Sequence, residues 1–260
     1  MSSLAILILT CNEEDNIVSV VENAKKCTDE VVVIDSGSTD RTVELAKEHG
    51  AKVAFRAWTN DFSAQRNFAL EQTDADWVLY LDADERLNDE VISEVKKIIS
   101  GNGRDQQYSF ERKSVAFGTK FNHGVLKPDH VLRMFPRDQV KWVNKVHEHP
   151  ECGLSIKALP GHIEHYTYKN WHHWESKFCQ YTTIWAEDAY RHGERTSLGK
   201  AFGHSLGGFF KMLILRAGFL DGWMGVFMCC CHFFYTMMKY LKLYDYREQE
   251  RNDEGYIDVA

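Results

Sequence analysis

The run Trp77-Val78-Leu79-Tyr80-Leu81 leads directly into Asp82-Ala83-Asp84-Glu85. Five mostly large, apolar residues read as a buried strand. In open α/β sheets, ligands bind beyond the carboxyl ends of the strands. Two aspartates one residue apart, held there on rigid backbone, offer oxygen ligands to a hard divalent cation. Such a cation keeps several waters and takes its remaining ligands from substrate phosphates. The competing reading is that Asp82 and Asp84 cap the next helix.

The first hundred residues alternate strand and helix signals. Residues 4–9 form an apolar strand run, and Asn12 is the expected N-cap of a helix with Glu13, Glu14 and Asp15 in its first turn. Ile17, Val20, Val21 and Ala24 then recur at helical spacing. Residues 31–34 make a second strand ending at Asp35, and Asp40 caps the following helix. Residues 52–55 and 77–81 supply two more strands, with a short helix over 64–70 between them. Asn88 caps a further helix with Val91, Ile92, Val95, Ile98 and Ile99 on one face. This alternation predicts βαβ units, a mostly parallel sheet flanked by helices, and an α/β class. Thr10, Asn12 and Glu13 then follow the first strand, Asp35 and Asp40 the second, and Asp82 and Asp84 the fourth. A parallel sheet points all three clusters into one crevice. Neither G-x-G-x-x-G nor G-x-x-x-x-G-K-[ST] occurs, which argues against a dinucleotide or P-loop fold.

A formal net charge of −7 argues against a general nucleic-acid binder. Seven cysteines, three of them contiguous at 229–231 and none in C-x-x-C spacing, suit neither a zinc site nor a disulfide framework. Reduced, cytoplasmic thiols are the simpler account, and the N-terminus shows no signal-peptide pattern.

Four segments carry a family resemblance: Leu9-Thr10-Cys11-Asn12-Glu13, Val33-Ile34-Asp35-Ser36-Gly37-Ser38-Thr39-Asp40, Gln65-Arg66-Asn67 and Leu81-Asp82-Ala83-Asp84-Glu85. In order and spacing the chain resembles family 2 glycosyltransferases of the GT-A fold. It is also similar to the lipopolysaccharide core biosynthesis β-1,4-glucosyltransferase group, through Arg133-Met134-Phe135-Pro136-Arg137, Val146-His147-Glu148 and Gly218-Phe219-Leu220-Asp221-Gly222. The resemblance implies a glycosyltransferase domain over residues 1–195. Its nucleotide-sugar half would be 1–104 and its acceptor half 105–195.

The resemblance also implies roles. Asp35 would accept a hydrogen bond from the base of a nucleotide-diphosphate sugar, with Thr10 and Glu13 along the nucleoside and Asn12 and Asp40 in the same crevice. Arg66 would approach the diphosphate or base, because arginine makes charge-assisted bonds to phosphate. Arg133 would help neutralise the diphosphate, or form a surface salt bridge. Asp84 would be the main contact of Mg²⁺ or Mn²⁺, Asp82 would sit near the ribose or behind the metal, and His165 would complete the metal's shell. By spacing alone, His162-x-x-His165 would fall on one helical face and mimic a zinc pair, but no cysteine or acid at suitable spacing supports zinc. An inverting transfer needs a group to take the acceptor's proton. Glu148 is the candidate base, His147 the runner-up and Glu85 a distant third. The implied reaction moves a hexose, with glucose expected, from a UDP-sugar to a lipopolysaccharide-core or other lipid-linked acceptor. The alternatives are a sugar-phosphate nucleotidyltransferase, which would need a Gly-rich basic loop near the N-terminus, and a non-catalytic sugar-nucleotide-binding protein.

From Lys200 the sequence turns apolar and aromatic, with Lys211, Arg216, Lys239 and Lys242 flanking or interrupting the runs. The longest uncharged run, 222–238, sits at the short limit for a spanning helix. The pattern predicts helices over 196–245 lying at the cytoplasmic face of the inner membrane, basic residues toward anionic headgroups. The alternative is a helical pair packing on the catalytic domain or in a dimer. Residues 246–260 read as a charged, mobile tail.

Overall fold

Apolar runs covered on both sides become the central strands of one sheet, and the computed structural model describes residues 2–101, 103–145 and 148–257 of the chain. In chain order the elements are β1 (Leu4–Thr10), α1 (Glu14–Lys25), β2 (Glu30–Asp35), α2 (Thr42–Glu48), β3 (Lys52–Phe55), α3 (Phe62–Leu70), β4 (Trp77–Asp82), β5 (Glu85–Leu87) and α4 (Asp89–Ser100). There follow β6 (Gln106–Ala116), β7 (Thr119–Lys120), β8 (Asp129–Pro136), β9 (Lys141–Val143), β10 (His149–Glu151), β11 (Ser155–Tyr168), α5 (Trp171–Arg191), α6 (Leu198–Phe210) and α7 (Gly222–Ile257). Contacts divide the chain into two units: Met1–Lys113 with Asp129–Tyr166, and Ser114–Pro128 with Thr167–Ala260.

The first unit is built on a sheet ordered β3-β2-β1-β4-β8-β6-β11-β5. The pairs β3–β2, β2–β1 and β1–β4 are parallel, as the helix-separated strands of the first hundred residues predict. From β4 onward the observed pairings are antiparallel, so the whole sheet is mixed. Alternate residues of β1 enter different cores. Leu4, Ile6 and Ile8 pack with Ile17, Val20 and Val21 of α1 and with Val91 and Val95 of α4. Ala5 and Leu7 pack on the other side with Tyr80, Ala69, Phe135 and Trp142. Each fully buried large apolar side chain contributes about 1.5–3 kcal/mol, which makes this central sheet the rigid frame for whatever its strand ends carry.

Several local expectations change. Asn12 does not cap α1: its backbone is left-handed (φ 55°), and its Oδ1 accepts from Thr39 N at 2.8 Å. The start of α1 is instead tied by Glu14 N donating to Asp40 Oδ2 at 3.1 Å, because the loop after β2 lies alongside. Asp40 also accepts from Thr42 N at 3.0 Å, at the start of α2. Asn88 caps α4 as expected, accepting from Val91 N at 3.0 Å. Asp82 and Asp84 cap nothing, since β5 intervenes before that helix. His162 and His165 lie on β11, not on a helix, and an odd spacing on a strand sends them to opposite faces.

The second unit is helical. α7 packs on α5 through Ala186, Ala189 and Leu243, with Tyr190 and Tyr246 beside them. Lys242 Nζ donates to Thr182 Oγ1 at 2.9 Å and Thr183 Oγ1 at 2.7 Å, which fixes α7 against α5. The charged stretch after Tyr246, expected to be a mobile tail, continues α7 as helix to Ile257. All seven cysteines carry free thiols.

Candidate active site

The strand register brings the predicted clusters together. Thr10 pairs with Asp35, and Leu9 with Asp82, so β1, β2 and β4 end side by side. Asp35 is buried and organises its own turn: Oδ2 accepts from Gly37 N at 3.0 Å, and Ser38 N lies 3.2 Å from both oxygens. A carboxylate has about four lone-pair sites, so capacity for a further donor remains. Glu13 is tied through its backbone, N to Thr42 Oγ1 at 2.7 Å, and its Oε2 accepts from Asn16 Nδ2 at 2.6 Å. Asn12 and Asp40 thus build the loops that shape the crevice.

Behind these strand ends lies a buried charge network. Arg133 Nη2 donates to Asp82 Oδ2 at 2.6 Å and to Glu85 Oε1 at 2.7 Å. Glu85 is fully buried; its Oε2 accepts from Asp82 N at 3.1 Å, and Arg112 Nη1 lies 3.5 Å from its Oε1. Arg133 is therefore no surface salt bridge, and Glu85 is a structural carboxylate, out of reach of an acceptor. Burial alone would push the Asp82 carboxyl up, but Arg133 and then Arg66 outweigh it and hold it well below the usual carboxylate range. For Arg133 the sign is reversed: burial pulls down, and Asp82 and Glu85 push its guanidinium above the ordinary value. A depressed folded pKa gives stability that is fully present above the unfolded value, about 3.9 for aspartate, and is lost as pH falls below it. Acid unfolding followed by circular dichroism should show Asp82→Asn flattening the pH dependence below about pH 4.

Arg66 connects this network to the crevice. Its Nη2 lies 3.3 Å from Asp82 Oδ1 and 3.9 Å from Glu148 Oε1. Its guanidinium carbon sits 4.5 Å from the Trp142 ring centroid and 5.5 Å from that of Tyr80. Tyr80 holds the helix beneath it, Oη donating to Arg66 O at 2.9 Å. Among the described residues, the buried Nε and Nη1 of Arg66 and Oγ1 of Thr10 have no hydrogen-bond partner. Buried polar groups are ordinarily satisfied, so these three atoms, beside the strand ends, retain unused hydrogen-bonding capacity.

Asp84 and His165 meet across two strands that pair in the sheet: His165 is in register with Glu85, and His165 Nε2 lies 3.3 Å from Asp84 Oδ2. Both side chains are about one-fifth exposed. An oxygen and an imidazole nitrogen fit Mg²⁺ or Mn²⁺, with Mn²⁺ the better match to the imidazole. Among the described residues, no three His, Cys, Asp or Glu side chains form a complete metal set. A cation held by such a pair would need waters and substrate phosphates for its remaining ligands. Asp82 is committed to two arginines, which leaves Asp84 as the carboxylate available to a cation. His147 lies outside the described residues; Glu148, its neighbour, reaches Arg66 and is about a quarter exposed.

Sequence reasoning did not find the Arg112–Glu85–Arg133 network, because its members are far apart in the chain and carry no joint spacing. It also missed the job of Asn67, whose Nδ2 donates to Trp142 O at 2.8 Å while its Oδ1 accepts from Trp142 N at 2.9 Å. The Gln65-Arg66-Asn67 motif was the available signal. Gln65 ties to Ser36, Arg66 faces the crevice, and Asn67 holds the strand that carries Trp142.

A mixed sheet with helices on both faces, its parallel half ending in acidic residues beside a buried arginine, has the architecture of the GT-A fold. The model of glycosyl transferase family 2 matches residues 5–156, more than half of the chain, and the chain belongs to that family. It is a glycosyltransferase, which removes the nucleotidyltransferase and non-catalytic alternatives. Over its whole length it is 26% identical to an uncharacterized glycosyltransferase of Rickettsia typhi, covering 94% of that protein. It is 25% identical to the lipopolysaccharide core biosynthesis glycosyltransferase LpsC of Rhizobium meliloti, over 74% of this chain and 73% of that one. Among solved structures, glucosyl-3-phosphoglycerate synthase of Mycobacterium tuberculosis, in complex with Mn²⁺, UDP-glucose and phosphoglyceric acid, aligns over 45% of each chain at 25% identity and a TM-score of 0.33.

Proposed function

We propose that this glycosyltransferase moves a hexose, glucose, from a UDP-sugar to a lipopolysaccharide-core or other lipid-linked acceptor, with inversion, at the cytoplasmic face of the inner membrane. The observation that carries the donor half is the trio of unpartnered buried atoms on Arg66 and Thr10, set between Asp35 and Asp82. A diphosphate and a ribose supply the acceptors and donors these atoms lack. Asp35 takes the imide N–H of uracil, and Arg66 binds a phosphate oxygen. A divalent cation held by Asp84 and His165 would offset charge on the departing diphosphate. Glu148 takes the proton of the acceptor hydroxyl as its oxygen bonds to the anomeric carbon and the bond to the diphosphate breaks. Similarity to LpsC supports the acceptor class.

A transfer screen across nucleotide sugars, with lipopolysaccharide-core acceptors present and absent, tests the reading. Turnover of UDP-glucose that rises with acceptor is expected; no turnover of any UDP-sugar overturns it. Asp35→Ala should weaken UDP binding by about 1.5–3 kcal/mol, the value of a hydrogen bond to a charged group. Asp35→Asn, which keeps an acceptor for the Gly37–Ser38 turn, should lose less. Calorimetry showing unchanged UDP affinity in both variants removes Asp35 as the base reader. Asp84→Asn replaces an anionic ligand by a neutral amide. Electron paramagnetic resonance of Mn²⁺ with UDP should show the bound ion lost in that variant, and parental Mn²⁺ binding would exclude Asp84.

A further inference from the structure

Residues 198–242 carry five basic side chains and one acidic, in a chain whose net charge is −7. Among the described residues no single helix is long and apolar enough to cross a membrane. Taken together, Leu198–Leu215 and Gly218–Glu250 are, but they bend by 70° at the break between them. The exposed apolar surface concentrates at that break: Leu215 is 80% exposed, Trp223 73% and Leu220 60%, with Ile214 and Phe219 beside them. Lys211 and Arg216 flank the same point, both exposed and, among the described residues, in no salt bridge. The acid in the stretch, Asp221, is turned inward. It accepts from Asn122 N at 3.1 Å and His123 N at 2.8 Å, and its Oδ1 meets His123 Nδ1 at 2.8 Å.

The break is built, not loose. Ala217 turns left-handed at φ 52°, and a Cβ on Gly218 would meet Cys229 Sγ at 2.6 Å and Met212 O at 2.9 Å. A Cβ on Gly225 would collide with the Gly218 carbonyl. These contacts explain the Gly218-Phe219-Leu220-Asp221-Gly222 stretch, whose small and acidic residues hold the bend while its apolar ones face outward.

We propose that the break between α6 and α7 is a preformed apolar wedge that inserts into the acyl boundary of an anionic bilayer leaflet. This rests on the membrane-surface reading above and names the element responsible. Charge complementarity selects the occupant. Lys211 and Arg216 sit where anionic headgroups lie when Leu215, Leu220 and Trp223 are immersed by about 5–10 Å. Carrying the same two cations to the middle of a bilayer is unfavourable, so the bent pair lies in one leaflet and does not span. Trp223 at the edge suits the interfacial level that indoles prefer.

Flotation of the full-length protein with vesicles of phosphatidylethanolamine and phosphatidylglycerol tests this. The protein should float at low salt, and less with phosphatidylcholine alone. Leu215→Glu with Leu220→Glu should lower partitioning by at least about 100-fold, since two leucines lose their burial. Thermal unfolding and UDP binding should stay unchanged, because both positions are exposed. Lys211→Gln with Arg216→Gln should cost roughly 10- to 30-fold on the anionic vesicles. Equal flotation of the parent and the Leu215/Leu220 variant overturns the wedge and leaves the membrane-surface reading standing. A parent that does not float overturns both. If the parent then sediments as a dimer and the variant as a monomer, the face joins copies of this chain.

Discussion

Glu148→Gln should slow sugar transfer roughly 10²–10⁴-fold, the contribution typical of a positioned general base. The glutamine keeps the shape and an oxygen for Arg66, whose Nη2 lies 3.9 Å from Glu148 Oε1, but it no longer takes a proton. Asp82 contacts the same guanidinium at 3.3 Å, so Glu148 lies beside the end of β4 with its side chain partly exposed. UDP affinity should remain near the parental value, because Asp35, Thr10 and the Arg66 side chain itself are unchanged. Single-turnover transfer measured beside UDP calorimetry separates the two effects. His147→Ala is the contrast: a severe loss there with a mild loss at Glu148 exchanges the roles. Small effects at both remove the pair. The search does not then return to Glu85, which is fully buried between Arg133 and the Asp82 amide.

Arg133→Ala should destabilise the protein by about 3–5 kcal/mol, the usual result of removing one partner from a buried ion pair. The nearest cations left among the described residues would be Arg112 for Glu85, at 3.5 Å, and Arg66 for Asp82, at 3.3 Å. The lost energy is mainly the burial of carboxylates without their cation. It follows that Arg133→Met combined with Glu85→Gln should recover part of the stability. The amide oxygen still accepts from Asp82 N, and the Glu85 charge is gone, while Asp82 keeps Arg66. Urea denaturation of the parent, the single variant and the double variant measures this. A loss below about 1 kcal/mol in the single variant, the range of exposed pairs, would show that the network is effectively solvated.

The acidic network and the crevice differ in how far the chain itself announced them. Strands β1 to β4 and the cap at Asn88 were legible because buried strands and capped helices leave local, periodic patterns. The convergence of Thr10, Asp35 and Asp82 was legible too, since parallel strands must end on one edge. The meeting of Asp84 with His165 rested on resemblance, and register alone realised it: β11 pairs with β5, some eighty residues away in sequence.

Other features had no local signal. Asn12 looked like a cap by residue type, yet it bonds Ser38 and Thr39 of the next loop, and these hydrogen bonds offset the left-handed backbone that asparagine tolerates. His162 and His165 looked like a helical pair by spacing, and β pairing divided them between two faces. The family was legible through four motif segments that resemble it, while short-range periodicity and strand direction carried the parallel half of the sheet and the edge on which its polar strand ends gather. Folding alone settled which carboxylates are buried with arginines and which stay partly exposed, and which apolar residues at the α6–α7 break face outward. Those outcomes depend on which distant side chains share a low-dielectric space, and spacing along the chain does not encode that.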